Sequence, residues 1–176
     1  MMLKLFWVLL VANFFKESFG SGANETTANL TESLHTPANR TFTKLPLRLG
    51  DSRSFHLSSD KANFFRALVN CQQAKFQLAA ILSENDEHDL NYALEDVSDG
   101  SRFWLSGTQL IDTKEQGNFY WFSGGSPVIY TKWLKGEPNS QLGNKSCIMW
   151  EQRASVGTGW SNNDCLLKAQ YICQTV

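Results

Sequence analysis

Four cysteines limit the architecture of this chain more than any other residues. They are Cys71, Cys147, Cys165 and Cys173, and all of them follow an N-terminal segment typical of exported proteins. An even number of cysteines in an exported chain favours two disulfides, because the extracellular environment is oxidising. A zinc site is the alternative, but the gaps of 76, 18 and 8 residues lack the close pairs that zinc usually uses. Spacing alone leaves all three pairings open.

The N-terminal segment, residues 1–20, has the features of a secretory signal peptide. Lys4 supplies a positive charge, and an apolar run of 11 residues follows it at 5–15. Small residues, Ser18 and Gly20, stand at positions −3 and −1 of a cleavage after residue 20. An uncleaved membrane anchor is the alternative, but the run is shorter than the ~18 residues that a spanning helix needs. We therefore expect a secreted, extracellular protein with no membrane span.

The segment that follows, residues 21–46, is rich in Asn, Thr, Ser and Ala and has no apolar period. It offers too little apolar surface to offset the entropy of ordering a chain. We expect a flexible stalk here and a globular domain over residues 47–176. Four N-x-[ST] sequons are predicted glycosylation sites in an exported chain. They lie at Asn24, Asn29, Asn39 and Asn144.

Charge and motifs exclude two classes of function. The chain has 16 Lys and Arg against 17 Asp and Glu, a net charge of -1, so it lacks the basic excess needed to bind a nucleic acid. It contains no G-x-S-x-G, H-E-x-x-H or P-loop motif. The acids Asp86, Glu87 and Asp89 are interpreted as the solvated face of a helix. We predict a binding protein and not an enzyme.

The globular part begins with helices. Apolar residues that include Phe65 and Val69 recur near the helical period and predict a buried stripe on a helix over about 61–76. Asp60 or Ser59 is placed to cap its first turn. This helix carries the first cysteine on or beside its buried stripe.

A second helix is predicted after Ser83, whose hydroxyl is placed to cap a first turn rich in acids. From residue 101 onwards, short apolar strands alternate with polar loops, of which the longest covers 135–144. A glycine-rich turn is expected at 157–159. Most tryptophans of the mature chain lie in or beside these strands, which favours core packing over exposed sugar-stacking surfaces. Helices followed by short strands indicate an α+β fold with antiparallel sheets.

The order of these features resembles the C-type lectin-like domain family in its four-cysteine form. The matching elements, after the cysteine on the first helix, are F-W-L-S-G at 103–107, E-P-N at 137–139, W-x-x-x-x-C at 160–165 and Tyr-Ile-Cys at 171–173. They cover about residues 53–175 and are most like the small secreted C-type lectins of insects. The resemblance implies two helices, two small antiparallel sheets and a long polar loop. It also implies the disulfides Cys71–Cys173 and Cys147–Cys165.

In sugar-binding members of this family, a calcium ion sits at the long loop. The Glu and Asn of E-P-N bind it, with a Glu two residues before the following Cys and an Asn-Asp pair after the Trp. This sequence keeps Glu137 and Asn139. By resemblance we expect a cis peptide before Pro138, which would aim both side chains at one ion.

The rest of that ligand set is changed. Lys145 replaces the expected Glu, and Ser161 and Asn162 replace Asn and Asp. Calcium prefers six to eight oxygen ligands, several of them charged, and only one carboxylate is left. A lysine here would repel calcium or pair with Glu137 in place of the ion. We therefore expect a site of Glu137, Asn139, Ser161 and Asn162 to hold calcium weakly or not at all.

The E-P-N motif goes with mannose- or fucose-type sugars in this family. The resemblance thus implies a secreted carbohydrate-binding lectin that recognises glycans on cell or microbial surfaces. The predicted sugar-binding residues are Glu137, Asn139, Asn162 and Lys145. The alternative is a calcium-independent module that binds protein or galactose-type ligands through the same surface.

Overall fold

A computed structural model describes residues 40–48, 53–110, 118–139 and 145–176. The predicted signal peptide, the first part of the predicted stalk and all four sequons lie outside these ranges, so they stay predictions. The helices of the described part are α1 (Phe64–Gln73) and α2 (Glu84–Ala93). Its strands are β1 (Phe42–Lys44), β2 (Phe55–Ser58), β3 (Gln77–Leu78), β4 (Arg102–Thr108), β5 (Tyr120–Trp121), β6 (Ser126–Pro127), β7 (Lys145–Arg153), β8 (Gly157–Asp164) and β9 (Gln170–Gln174).

Helix α1 starts later than the sequence predicted. Its N-cap is Asn63, whose side chain accepts a hydrogen bond from the backbone N–H of Arg66 at 2.9 Å. Asp60 and Ser59 were therefore wrong as caps. The reason is tertiary: Ala62 is held in a two-hydrogen-bond bridge, which keeps the chain extended until just before the cap.

The buried face of α1 also differs by one position from the expected stripe. Phe64, Ala67, Leu68 and Cys71 face the core, whereas Phe65 and Val69 on the other side are exposed. The helical period was correct and Leu68 of the predicted stripe is buried, but the buried face runs through Phe64 and Cys71 and leaves Phe65 and Val69 on the exposed side.

Helix α2 starts where the sequence predicted. The Ser83 hydroxyl accepts from the backbone N–H of Asp86, and the Asp86 carboxylate accepts in return from the backbone N–H of Ser83. This reciprocal pair satisfies two backbone donors at the helix start. Neither helix of the described residues is long and apolar enough to cross a membrane.

The nine strands form one connected, mixed sheet. Its main order is β1-β2-β9-β4-β5-β6, with β7 paired to β4 and to β8. The antiparallel pairing expected of two small sheets holds for every pair of these strands except β4 and β9, which run parallel through Phe103 opposite Gln170 and Trp104 opposite Tyr171 and so join the strands into one sheet. The long antiparallel pair β7–β8 turns at residues 154–156, three residues before the expected turn, and Gly157 already belongs to β8.

The sheet is buried on both faces at its centre. Alternate residues of β4 point to opposite sides: Phe103 and Leu105 join a cluster that includes residues of α2, while Trp104 joins a cluster that includes residues of α1. Two buried faces explain why three successive residues of this strand, Phe103 to Leu105, are all apolar. Four tryptophans are fully buried, as core packing predicted. They are Trp104, Trp121, Trp150 and Trp160.

Both implied disulfides are present. Cys71 on α1 is bonded to Cys173 on β9, with Cα atoms 5.6 Å apart. Cys147 on β7 is bonded to Cys165, just after β8, with Cα atoms 5.3 Å apart. The first bond ties a helix to the middle of the sheet, and the second closes the β7–β8 pair.

The predicted stalk is wrong at its C-terminal end. Residues 42–44 form strand β1, which pairs antiparallel with β2. The Phe42 ring contacts Phe76 and Tyr171, with ring centroids 5.8 and 6.1 Å apart. The polar composition of 21–46 as a whole hid this strand, although Phe42 within it packs on the domain.

Candidate functional site

The long loop is fixed to strand β8 at its start. The backbone N–H of Leu134 donates to the Trp160 carbonyl at 2.9 Å, and the N–H of Trp160 donates to the Lys132 carbonyl at 2.7 Å. Gly159 makes this approach possible, because a Cβ there would lie 2.7 Å from the Lys132 carbonyl oxygen. The loop therefore leaves the sheet from a defined position beside Trp160.

Three of the predicted site residues meet in this loop. The peptide between Glu137 and Pro138 is cis, as expected. One Glu137 oxygen, Oε2, accepts from the backbone N–H and the side-chain amide of Asn139, at 3.2 and 3.0 Å. Asn162 holds Asn139 from the other side: its Oδ1 accepts from the Asn139 N–H at 2.8 Å, and its Nδ2 donates to the Asn139 carbonyl at 3.0 Å. Asn162 thus fastens the loop to β8.

An arginine completes the cluster. Arg153, at the end of β7, lies with Nη2 3.4 Å from Glu137 Oε1 and 2.8 Å from Glu151 Oε2. Its Nε donates to the same Glu151 oxygen at 2.8 Å. The guanidinium therefore bridges two carboxylates whose side chains are only 9% and 11% exposed.

The two carboxylates keep the Arg153 guanidinium protonated. Burial acts to lower the pKa of Arg153, but hydrogen bonds and charge interactions with Glu151 and Glu137 outweigh it and raise that pKa above its usual value. The other Glu151 oxygen, Oε1, accepts from the Ser161 hydroxyl at 2.5 Å and from Asn163 Nδ2 at 3.3 Å. Both oxygens of this buried carboxylate thus have donors, as a buried charge requires.

Sequence reasoning missed Arg153 and Glu151. A signal was present, because residues two apart on a strand share a face, and E-x-R at the end of β7 places opposite charges side by side. The sequence could not show that Glu137, 16 residues earlier, returns to the same point.

The other predicted residues are placed differently. Lys145 starts β7 with its backbone opposite Asp164, and its side chain lies outside the described part. The Ser161 hydroxyl is used by Glu151 and not by the loop. Asn163 donates to Ser161 at 2.7 Å, and the Asp164 carboxylate accepts from the backbone of the next turn. Neither of these last two supplies a replacement ligand at Glu137.

These contacts do not fit a calcium ion. Glu137 and Asn162 already accept hydrogen bonds from protein donors, and the guanidinium lies where positive charge is needed. A divalent cation 4 Å from a guanidinium is repelled by about 8 kcal/mol at an effective dielectric constant near 20. Among the described residues, no group of three or more His, Cys, Asp or Glu side chains could hold a metal ion.

A second buried carboxylate, that of Glu87, contacts Trp160, the residue beside which the long loop leaves the sheet. Glu87 on α2 is 2% exposed, so its interpretation as part of a solvated face is wrong. Its Oε2 accepts from the Trp160 indole N–H at 2.9 Å, and its Oε1 accepts from Asn91 Nδ2 at 3.3 Å. Burial raises the pKa of Glu87 to about 7, although these two hydrogen bonds and the charge of Lys132 act to lower it.

The comparison with protein families gives one result. A family model described as "Lectin C-type domain" matches residues 60–175. That range includes both disulfides, both helices and the long loop.

Individual relatives agree with it. The chain is 25% identical to "Salivary C-type lectin 2" of Aedes albopictus, over 66% of this chain and 79% of that protein. It is 30% identical to "C-type lectin mannose-binding isoform" of Oxyuranus scutellatus, over 68% of this chain and 75% of that protein. Two primate relatives are longer, and the chain spans 30% and 25% of their lengths.

Among solved structures, the mouse scavenger receptor C-type lectin carbohydrate-recognition domain has a similar fold. The TM-score is 0.60 at 21% identity, over 73% of this chain and 92% of that one. At this identity the likeness concerns the fold alone.

Proposed function

The chain belongs to the C-type lectin domain family, and from that membership we propose that it is a secreted lectin that recognises carbohydrate at the long loop without calcium. The observation that carries this proposal is the Arg153 guanidinium, which lies between Glu137 and Glu151 at 3.4 and 2.8 Å. It supplies, as part of the protein, the positive charge that two neighbouring carboxylates would otherwise need from an ion.

The family consists of binding modules and not of enzymes, in agreement with the prediction that the chain has no catalytic function. Secretion rests on the signal-like N-terminus and on the two disulfides, which are stable in an oxidising compartment. The word "salivary" in the name of the mosquito relative is consistent with export.

The cluster offers a sugar both kinds of hydrogen-bonding group. Within the described residues, the contacts of Arg153 use Nε and Nη2, which leaves the two N–H groups of Nη1 for a ligand. The Arg153 side chain is 38% exposed, so these donors reach solvent. Glu137 beside it provides acceptor oxygens. A pair of adjacent sugar hydroxyls needs such a combination of donors and acceptors, because each hydroxyl both donates and accepts.

The described start of the long loop, residues 135–139, is already held in one shape before any ligand arrives. Asn162 makes two hydrogen bonds to the backbone of Asn139, and Glu137 makes two more to the same residue. A loop that is ordered in advance loses less entropy on binding. The protein's own amides and guanidinium thus provide the order that a metal ion would otherwise supply.

The sugar preference is the finer part of the proposal. The E-P-N motif and the mannose-binding name of the Oxyuranus scutellatus relative both favour mannose- or fucose-type sugars. Glycans on cell or microbial surfaces are the partners that we propose.

The test is retention of the purified protein on immobilised mannose and on immobilised galactose, each with calcium and then with EDTA. We expect retention on mannose that EDTA does not change. Arg153→Gln should abolish it, since the amide cannot bridge two carboxylates. Arg66→Gln, which removes an exposed arginine from α1, is the matched control and should bind as the wild type does.

Three results would count against the proposal. Release by EDTA would show that an ion holds the sugar. Retention on galactose alone would show that the E-P-N motif does not select mannose- or fucose-type sugars in this protein. No retention on either sugar, by a protein shown to be folded, would favour protein ligands.

A further inference from the structure

A cavity of about 340 Å³ lies outside the long-loop site. It lies among three chain segments: residue 61, two residues before the α1 cap; the connection from α2 with the first two residues of β4; and the residues that lead into β9. Three basic residues line it, one from each of the first two segments and one just before β9. They are Lys61, Arg102 and Lys168. Asp99 is the one acidic residue among the lining residues of this basic cavity.

The walls of the basic cavity are fixed by the backbone. Ala62 and Ala169 exchange two hydrogen bonds, at 2.9 and 3.0 Å, in an antiparallel bridge, so the side chains of the residues before them, Lys61 and Lys168, point to the same face of the bridge. Phe103 pairs in parallel with Gln170, so the start of β4 lies beside the start of β9. The Trp104 indole N–H donates to the Ala62 carbonyl at 3.1 Å. The three basic residues are therefore brought together by rigid elements and not by a mobile loop.

None of these three bases forms a salt bridge with a described carboxylate. All three residues are exposed at the mouth of the cavity. With one acid against three bases, the lining carries a formal charge of +2, in a chain whose net charge is -1. Positive charge is thus concentrated here beyond what the composition requires.

Besides Asp99, two carboxylates close to the cavity in sequence or register are already engaged. Asp60 accepts from Arg40 at 3.1 Å and from the Tyr171 hydroxyl at 2.8 Å. Glu151, which stands opposite the first residue of β4, is bound by Arg153. Neither is left to neutralise the basic cavity, so an anion from solution is the remaining partner.

We propose that the basic cavity binds a sulfate or phosphate ester group carried by a sugar. Each of the three bases can donate to an oxyanion, and charge-assisted hydrogen bonds of this kind are about twice as strong as neutral ones. Ser98 and Ser101, whose hydroxyls lie 3.4 Å apart on the wall, offer further groups for sugar hydroxyls. The volume lies at the small end of the ~300–1,000 Å³ range of ligand sites, which suits one esterified sugar unit. The site shares no residue with the long loop and does not depend on it.

Calorimetric titration in EDTA tests the proposal with three probes: a heparin tetrasaccharide, its desulfated counterpart and mannose 6-phosphate. We expect the sulfated probe to bind and the desulfated probe, which keeps its carboxylates, to bind at least ten times more weakly. Binding of mannose 6-phosphate would identify phosphate as an accepted group, and its absence would restrict the cavity to sulfate.

The variant that tests the residues is Lys61→Gln, Arg102→Gln, Lys168→Gln. We expect its affinity for the sulfated probe to fall at least about tenfold, which corresponds to about 1.4 kcal/mol shared by three cations. Retention on immobilised mannose should not change, so failure of this proposal is distinguishable from failure of the lectin proposal.

The matched control removes three exposed cations elsewhere: Lys44→Gln, Arg66→Gln and Lys75→Asn. Asn is chosen for the last because Lys75 has a φ of 66°, a conformation that Asn tolerates. An equal loss of affinity in this control would overturn the proposal, since it would show that binding depends on the net charge of the protein and not on the three residues of the cavity.

A third variant keeps the test valid if the triple variant of the cavity does not fold. Asp99→Asn removes the one negative charge of the lining and should tighten binding of the sulfated probe about two- to fivefold, in line with ~0.5–1 kcal/mol for an exposed charge pair. No gain in Asp99→Asn, or equal binding of sulfated and desulfated probes, would overturn the proposal.

Discussion

Replacement of Glu87 by Gln should change the pH dependence of stability. The Glu87 carboxyl is buried, and its pKa rises from 4.5 to about 7 in the folded protein, mainly through burial. The folded state therefore keeps a proton on this group at pH values where the unfolded state has lost it. Stability falls as pH rises from 4.5 to 7, because the charged form is disfavoured in the folded state, and it stays at the lower level above pH 7.

The magnitude follows from the two pKa values. With one group at 4.5 unfolded and about 7 folded, the linkage relation gives a loss of roughly 2–3 kcal/mol between pH 5 and pH 8. The full cost at high pH is about 3 kcal/mol, since one pKa unit equals about 1.4 kcal/mol. This is a large share of the roughly 5–15 kcal/mol by which domains are usually stable.

Glutamine keeps the shape of Glu87 but cannot ionise. Its carbonyl oxygen can still accept from the Trp160 indole N–H, while the weaker bond from Asn91, at 3.3 Å, is lost. That loss costs about 1 kcal/mol at every pH, so it cancels when the two pH values are compared. The quantity to measure is the change in the difference between variant and wild type from pH 5 to pH 8.

The assay is equilibrium urea unfolding followed by far-ultraviolet circular dichroism at pH 5, 6, 7 and 8, with the disulfides intact. We expect Glu87→Gln to gain roughly 2–3 kcal/mol relative to wild type across this range. Glu84→Gln, an exposed acid in the first turn of the same helix, is the control and should run parallel to wild type. Parallel profiles for Glu87→Gln and wild type would refute the reasoning, since they would show that Glu87 has the same pKa folded and unfolded.

Two further substitutions test the packing around the site. Gly159→Ala should cost roughly 1–3 kcal/mol of unfolding free energy, because its Cβ would lie 2.7 Å from a backbone oxygen, whereas Gly124→Ala, with its nearest atom 3.9 Å away, should change it by less than about 0.5 kcal/mol. Equal losses by urea unfolding would contradict this account. Removal of the second disulfide by Cys147→Ala with Cys165→Ala should cost about 3 kcal/mol and lower the thermal midpoint by roughly 6–12 °C, as measured by calorimetry. A midpoint within about 2 °C of wild type would show that the bond adds little.

Sequence patterns predicted correctly those features that depend on contacts between residues close together in the chain. The cap of α2 is an example, since Ser83 and Asp86 satisfy each other within a single turn. The cap of α1 was wrong by a few residues, although Asp60 and Asn63 have equally suitable side chains. The bridge between Ala62 and Ala169 decides between them, and it joins segments more than a hundred residues apart.

In the candidate site, too, the sequence predicted some contacts and missed those that depend on distant parts of the chain. The resemblance predicted that Glu137 and Asn139 of the long loop lie beside Asn162, which the structure places on β8, and the three residues do contact one another. The cation of the cluster was expected from Lys145, whereas the contact that the structure describes comes from Arg153. Short-range patterns cannot show which of two basic residues reaches a carboxylate, because that depends on where the loop returns.

The burial of Glu87 could have been predicted from the sequence. It stands three residues before Leu90, and both are buried on the same side of α2. Helical spacing alone places them on one face. The acidic character of the helix led to the interpretation of a solvated surface. What the sequence could not provide was the indole N–H of Trp160 as a partner that makes a buried carboxylate tolerable.

The position of β9 has a consequence for how the chain is made. It is the last of the described strands in sequence, yet it lies between β2 and β4 in the sheet. During synthesis the centre of the domain cannot close until these residues have left the ribosome. At about 5–20 residues per second, Cys71 waits roughly 5–20 s for Cys173, its partner 102 residues later. Cys147 and Cys165, only 18 residues apart, meet much sooner. Through that interval Cys71 is a free thiol beside an unfinished core, and it can react with wrong partners until Cys173 arrives.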